Sequence, residues 1–463
     1  MIFSRSFFWS LFALAGYLAI TLANCPEGLS DEGKKLMAIM FAAVVLWAVE
    51  IVPVAVSSII IIILLTLTNV MGSFANALAG FTSPIPYFLV GVLVIGKSVQ
   101  FTGLAGRLAR TLVLRGAGSP VRIFCQLLLA LPFLPLVAPS AITRNAILIP
   151  AYQEIFQRMD PEGREKFSRA VMLVLGILNP FASSTFITGG LAPMTTATLL
   201  GGFTWFKWFA LMSIPYYTLL LLGGGFLYLW NLKNTGRKSI LTSQYKKEED
   251  CSLSGDQKKV LLVLVLTTSL WLTDFIHNLN PAIPALIGAV LLLLPGVGVL
   301  SWSRFEKESS WSTFFVLGAT LSLAEGLISS GAADWFAKSL INWLQFVHSP
   351  LLYIVFLILI IAAVHLAIPN MSACIAFLIP VVIAFARGVG LNPVVCGLLV
   401  SIVVDAVILY PVQTATNLIA YEAGYFKSSD VLILGLFLLL ATVLVTLLVA
   451  VPYWGLLGLK LLG

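Results

Sequence analysis

Charge is scarce in this chain: Asp, Glu, Lys and Arg make up 10% of its 463 residues, against about 25% in an average soluble protein. A soluble multidomain enzyme of this length is therefore excluded. Histidine is rarer still, with three residues scattered at 277, 348 and 365. No nucleophile-base pair, H-E-x-x-H sequence or Gly-rich nucleotide motif occurs, so no enzymatic chemistry is expected. The five cysteines, Cys25, Cys125, Cys251, Cys374 and Cys396, are odd in number, lack C-x-x-C spacing and lie mostly within or beside apolar segments. Neither a disulfide framework nor a zinc site is supported.

What is abundant is apolar. Hydrophobic residues make up 59% of the chain, 30 of them Phe, and the mean hydropathy is +1.01. They fall in runs of about 18 or more residues with few charges, as repeated crossing of a hydrocarbon layer demands. The fold class expected is an all-α polytopic membrane protein with about eleven transmembrane helices. The net charge of +7 does not point to nucleic acid, because the basic residues sit in short loops between apolar spans. Placing the N-terminus in the cytoplasm puts nineteen Lys and Arg on that side and six on the other, with Lys97 and Arg144 inside the membrane. That bias gives the orientation, with an external C-terminus, in a bacterial inner membrane or its equivalent. Residues 7–24 read as the first transmembrane helix rather than a cleaved signal, since Asn24 suits a cleavage site poorly and further spans follow.

Thirty-six Gly and 22 Pro, many of them inside apolar runs, imply helices broken at membrane depth, which is tolerated where the backbone lines a polar cavity. Pro135, Pro139 and Pro150 punctuate 123–156, and Pro369 and Pro380 punctuate 351–386. Arms too short to span make both stretches re-entrant hairpins. Interrupted helices follow at 170–200 and 394–424. The same order of elements in both halves, about 230 residues apart, reads as two inverted repeats. The division expected is 1–35 (first helix and external loop), 36–232 (first repeat), 233–258 (cytoplasmic linker) and 259–463 (second repeat).

The breaks carry the chemistry. Where a helix stops inside a membrane, its free N–H groups hold an anion and its free carbonyls a cation, with hydroxyls and amides completing either shell. Four polar tips are expected to converge on one substrate site for a small dianion: Ser140, Thr143 and Arg144; Thr188, Gly189 and Gly190; Asn370 and Ser372; and Thr414, Ala415, Thr416 and Asn417. The alternative is that such residues only kink helices. Arg144 stands out as a charge inside the membrane, suited to a bidentate carboxylate or else paired with a scaffold acid. Lys97, Glu50, Glu325, Asp405 and Glu422 are lesser candidates. His365, beside the second tip, is either core or proton-coupling.

Several of these segments have a family likeness. Trp47-Ala48-Val49-Glu50-Ile51-Val52-Pro53 is similar to a Trp-x-x-Glu-x-x-Pro helix end. Trp271-Leu272-Thr273-Asp274 with Leu294-Pro295-Gly296-Val297 is similar to the start of a second repeat. Pro411-Val412-Gln413-Thr414-Ala415-Thr416-Asn417 is similar to a Pro-Val-Ala-Thr-Pro-Pro-Asn signature, and Gly424-Tyr425-Phe426 follows in place. On these segments the chain resembles the divalent anion:sodium symporter family over nearly its whole length beyond the first helix. The resemblance implies a homodimer in the lipid bilayer in which a moving transport domain carries the site by an elevator motion, with 36–105 and 259–337 as scaffold. It also implies sodium as a possible coupling ion, held near Ser140, Ala141, Gly190, Asn370, Met371 and Gln413.

The chain departs from the family where that sodium would bind. Its hairpins carry Ser140-Ala141-Ile142 and Asn370-Met371-Ser372 in place of Ser-Asn-Thr, and Met194 replaces an Asn. Arg144 resembles the Arg of the branch holding bacterial citrate carriers and plastid 2-oxoglutarate-malate translocators. The function expected is therefore exchange of C4 or C5 dicarboxylates or citrate. A Na⁺-coupled dicarboxylate or sulfate symporter is the alternative, with an anion channel behind it.

Overall fold

The computed structural model describes residues 2–50, 52–107, 119–157, 159–233, 252–368 and 370–463. Most of the linker 233–258 lies outside them, as do Arg110, Arg115, Arg158, Cys251 and Pro369. Among the described residues the chain is helical throughout, with no strand beyond one antiparallel bridge between Leu391 and Leu462.

The first half opens with α1 (Ile2–Leu22), α2 (Asp31–Val49) and α3 (Val54–Leu67). Ser30 caps α2 by accepting from Gly33 N, and Glu50 ends it in the left-handed conformation, φ 49°. Helix α4 (Pro84–Phe101) follows. The first hairpin consists of α5 (Pro120–Ala130), a short turn of helix at Leu134–Val137, and α6 (Ala141–Gln157). Helix α7 (Pro161–Leu173) runs through a π-turn at Val174–Leu178 into α8 (Asn179–Ser184), breaks, and resumes as α9 (Leu191–Leu199) before α10 (Trp205–Leu227).

The second half has the same order of parts. A pair, α11 (Gly255–Leu272) and α12 (Ala282–Leu293), precedes α13 (Trp311–Ser329) and α14 (Ala332–Trp343). The hairpin is α15 (Pro350–Ala367) and α16 (Met371–Gly388). The broken helix is α17 (Pro393–Ala406) and α18 (Ala415–Glu422), and α19 (Ser428–Val445) closes the half.

Two expectations need correction. Pro150 and Pro380 do not punctuate anything: each lies inside a continuous helix, α6 and α16. Proline removes one backbone donor, and packed neighbours can satisfy the freed carbonyl at membrane depth. The chain turns instead at 138–140 and 368–370. Three of the four hairpin arms are also longer than expected, 17 residues in α6 and 18 each in α15 and α16, whereas α5 has 11. Seven helices among the described residues are long and apolar enough to cross a membrane, α15 and α16 among them, and α3, α12 and α17 are shorter apolar helices.

Buried apolar side chains form two clusters. One joins α2 and α3 to α13 through Leu36, Ile39, Trp47, Ile61, Leu65, Ala319 and Leu323. The other, larger, contains α6 to α10, α15 to α17 and α19, together with much of α4, α11 and α12. Within the larger cluster the Trp271–Asp274 segment ties the end of α11 to α10. Trp271 stacks on Trp205 at 6.0 Å, and Asp274 Oδ2 accepts from Phe206 N at 3.1 Å, which caps the start of α10.

Candidate functional site

Four helices begin at one place. The N-termini of α6, α9, α16 and α18 meet around a cavity of about 420 Å³. Its wall includes Ser140, Ala141 and Ile142 from the first tip, Gly189 to Pro193 from the first break, Asn370 to Ser372 from the second tip and Val412 to Thr416 from the second break. Each start has a local cause. Ser140 Oγ accepts from Thr143 N at 3.3 Å, Asn370 Oδ1 from Ala373 N at 3.0 Å and Thr414 Oγ1 from Asn417 N at 3.4 Å. These are N-cap bonds.

Helix α9 is different, because its cap is Gly190 and offers no side chain. Leu191 and Ala192 line the cavity in its first turn, where backbone N–H groups lack intrahelical partners. The two glycines of this break have opposite surroundings. A Cβ on Gly189 would lie 1.8 Å from the Ser183 carbonyl oxygen, whereas a Cβ on Gly190 would meet nothing within 4 Å.

Of the substrate residues expected from the sequence, Ser140, Gly189, Gly190, Asn370, Ser372, Thr414, Ala415 and Thr416 line this cavity, and so do Ala141, Met371 and Gln413 of the sodium set. Gln413 is already engaged. Its Oε1 accepts from Leu409 N at 2.8 Å and its Nε2 donates to Val407 O at 3.0 Å, so the side chain braces the break.

Four expected residues lie elsewhere. Thr143, next to Arg144 on α6, is not in the wall. Thr188 is buried against Trp205, whose Nε1 reaches its hydroxyl at 3.4 Å. Asn417 is buried against the π-turn of the first half, where a Cβ on Gly176 would come within 2.9 Å of its Oδ1. Arg144 is 2% exposed and points behind the tip. Its Nε donates to Asn179 Oδ1 at 2.8 Å, its Nη1 to the carbonyls of Ala138 at 2.7 Å and Pro139 at 2.8 Å, and its Nη2 to Asn179 O at 3.0 Å and to Ser183 Oγ. A guanidinium has five N–H groups, and these contacts use all of them. Arg144 thus meets neither a substrate cavity nor a scaffold acid but a cage of oxygens.

A polar network extends from that cage. Asn179 Nδ2 donates to Asn145 Oδ1 at 2.8 Å and to Ala141 O at 3.2 Å. Asn145 Nδ2 then donates to Leu175 O at 3.0 Å and to Thr416 O at 3.1 Å, which joins the first hairpin to both broken helices. Sequence reasoning passed over Asn179, whose position before Pro180 inside an apolar run was its one signal.

The cavity wall also contains Trp47 and Glu50 from the end of α2, Ser183 and Ser184 from α8, and Asp405 from α17. Among the described residues of the wall there is no Lys, Arg or His. Asp405 Oδ2 accepts from Tyr216 O–H at 2.6 Å, and the Tyr216 oxygen lies 3.3 Å from Ser401 Oγ. Nothing in the sequence marked Tyr216, one aromatic among many in an apolar span.

Comparison with known proteins gives the family of the chain. Residues 5–460 match the family described as "Sodium:sulfate symporter transmembrane region". The chain is 25% identical to the citrate/succinate antiporter of Escherichia coli K12, over 91% of this chain and 93% of that one. It is 23% identical to the sodium-dependent dicarboxylate transporter SdcS of Staphylococcus saprophyticus, over 92% and 86%. Its fold is similar to the crystal structure of the Alcanivorax borkumensis YdaH transporter, with a TM-score of 0.50 at 17% identity, covering 79% of this chain and 85% of that one. With nearly its whole length matched, the chain belongs to the sodium:sulfate symporter family of membrane transporters.

Proposed function

We propose that this chain is a secondary transporter that takes small dianions, C4 or C5 dicarboxylates or citrate, and exchanges one for another. The observation that carries the reading is the meeting of four helix N-termini at one cavity. Each such end carries roughly half a positive charge, and anions bind there without a basic side chain. Hydroxyls of Ser140, Ser372, Thr414 and Thr416 and the amide of Asn370 stand among them, placed to fix a carboxylate at either end of a short dianion. The antiporter relative supports the substrate class.

Exchange is favoured over sodium coupling by the cage around Arg144. The carbonyls of Ala138, Pro139 and Asn179, with Asn179 Oδ1 and Ser183 Oγ, form the kind of oxygen shell that a small cation takes, and the guanidinium fills it. A resident positive charge behind the tip offsets part of the dianion's charge without a co-transported ion. Ala141 and Met371 supply no side-chain oxygen at the positions where the family's asparagines would stand.

The chain sits in the membrane with its N-terminus cytoplasmic and its C-terminus outside, as the basic loops favour. It works as a homodimer in which α2, α3 and α13, packed on one another and against α16 through Ala373 and Val381, are scaffold for an elevator movement of the cavity. The deciding experiment is labelled succinate uptake into proteoliposomes with Na⁺ or choline outside, with and without internal succinate. Exchange requires stimulation by internal succinate and little response to Na⁺. Steep Na⁺-dependent uptake into empty vesicles would favour the symporter, and a unit conductance far above carrier turnover would favour a channel.

A further inference from the structure

The cavity wall holds two carboxylates, Glu50 and Asp405, and among the described residues no Lys, Arg or His, so a dianion drawn in by the helix N-termini binds more tightly when a carboxylate is neutral. Glu50 is exposed at the end of α2 and is easily solvated. Asp405 is not: it is 2% exposed, and no Lys, Arg or His among the described residues pairs with it. It lies in the last turn of α17, where unsatisfied helix carbonyls add further negative potential. Resting on the reading of this cavity as a dianion site, we propose that Asp405 is a proton-binding site coupled to the anion, a carboxylic acid while a dianion is bound and a carboxylate when the cavity is empty.

The geometry fits a proton better than a metal ion. Oδ2 is occupied by the Tyr216 O–H at 2.6 Å, the Ser184 hydroxyl is the other side chain beside the carboxylate, and no metal-holding cluster is present among the described residues. Oδ1 is the oxygen that Tyr216 does not hold, and Asp405 stands in the cavity wall. The proton comes from water on whichever side the cavity is open, sits on that oxygen and departs when the anion departs. Once there it does more than cancel a charge, because a neutral acid donates a hydrogen bond to a carboxylate that a carboxylate would repel.

Other titratable groups around α17 do not supply the effect. Helices α8 and α9 carry none. Helix α10 presents Tyr216, while Tyr217 donates to Pro132 O and Lys207 stands in the first turn. On α15, His365 is engaged by Ile368 O and is not part of the cavity wall, and Tyr353 is a turn from the far end. On α16, Cys374 is a buried thiol and Arg387 is exposed in the last turn. Asp430 caps the start of α19. Across the cavity stands Glu50.

The test is calorimetric titration of the purified full chain with succinate from neutral to alkaline pH, where succinate stays doubly ionised, in buffers of different ionisation enthalpy. Expected are uptake of about one proton per succinate and an affinity that falls by up to about tenfold per pH unit. Asp405→Asn should bind with a pH-independent affinity and no proton uptake, and Glu50→Gln should keep the dependence. Tyr216→Phe removes a donor that favours the carboxylate, so its affinity should persist to higher pH, which provides a second reading if Asp405→Asn fails to fold. Binding by the unaltered protein without pH dependence, dependence retained in Asp405→Asn, or loss of it in Glu50→Gln would each overturn the proposal. Absence of dianion binding at every pH would instead sink the transporter reading beneath it.

Discussion

Arg144 Nε donates to Asn179 Oδ1 at 2.8 Å, and this contact fixes the first hairpin tip to the helix break behind it. The pair turns a charge inside the membrane into a structural element: the tip's own carbonyls, Ala138 O and Pro139 O, take two more of the same guanidinium's donors. Cation and cage stabilise each other, because each would otherwise be buried without a partner.

Removal of the guanidinium should therefore act on folding before binding. Arg144→Gln is expected to lower stability by several kcal/mol, since each buried acceptor left without a donor costs about 1–3 kcal/mol, and Arg144→Lys by less, since it keeps the charge but loses the planar fork. In Arg144→Ala the emptied cage should accept a cation, so that its melting temperature rises with NaCl relative to choline chloride while that of the unaltered protein does not. Equal responses to the two salts would mean that the carbonyls do not form a cation shell.

The glycines of the first break offer a cleaner separation of fold from function. Gly189→Ala puts a Cβ against the Ser183 carbonyl, a backbone clash expected to cost about 1–3 kcal/mol. Gly190 is extended, φ 168°, and faces open cavity. Gly190→Ala should leave the melting temperature unchanged and weaken succinate uptake severalfold, because the methyl group takes the space beside the free N–H groups of α9. Thermal unfolding and liposome uptake of the two variants check both halves of this contrast.

How far these roles could be read from sequence differs by residue. The tips were legible because Ser140, Asn370 and Thr414 are polar caps set among apolar residues, and a cap names the helix start that follows it. The direction of a side chain was not. Arg144 lies about one turn into α6, where side chains lean back toward the helix N-terminus, and its long arm reaches the tip's own carbonyls, Ala138 O and Pro139 O, behind the cavity. Thr188 and Asn417 likewise fall beside the breaks but on faces packed against Trp205 and Gly176. Pro150 and Pro380 misled because a proline in sequence shows a missing donor but not the neighbours that make the loss tolerable.

Thr414 combines both kinds of role. Its hydroxyl caps α18 through Asn417 N and lies 3.3 Å from Thr416 Oγ1, at the cavity wall. Thr414→Ala should lose about 0.5–2 kcal/mol with the cap and raise the KM for uptake. Thr414→Ser, which retains the oxygen, should recover most of both, as measured by thermal unfolding and initial uptake rates.

The strongest test of the buried network is Asn145. Its amide fits in one orientation, with Nδ2 giving bonds to Leu175 O and Thr416 O while Oδ1 accepts from Asn179. Asn145→Asp is nearly isosteric, yet it replaces the donor with an oxygen facing two carbonyls. The carbonyls lose their partners, at about 1–3 kcal/mol each, and a charge is placed against them. Asn145→Ala leaves the same carbonyls unpaired but adds no charge and opens room for water. The larger structural change should therefore be the milder one, with Asn145→Asp melting at a lower temperature than Asn145→Ala. The order holds only if Asn145 acts as a donor joining the first hairpin to both broken helices. If Asn145→Asp proves the more stable of the two, the carboxylate has found a partner, and with Arg144 one residue away that partner would have to be a guanidinium released from its cage.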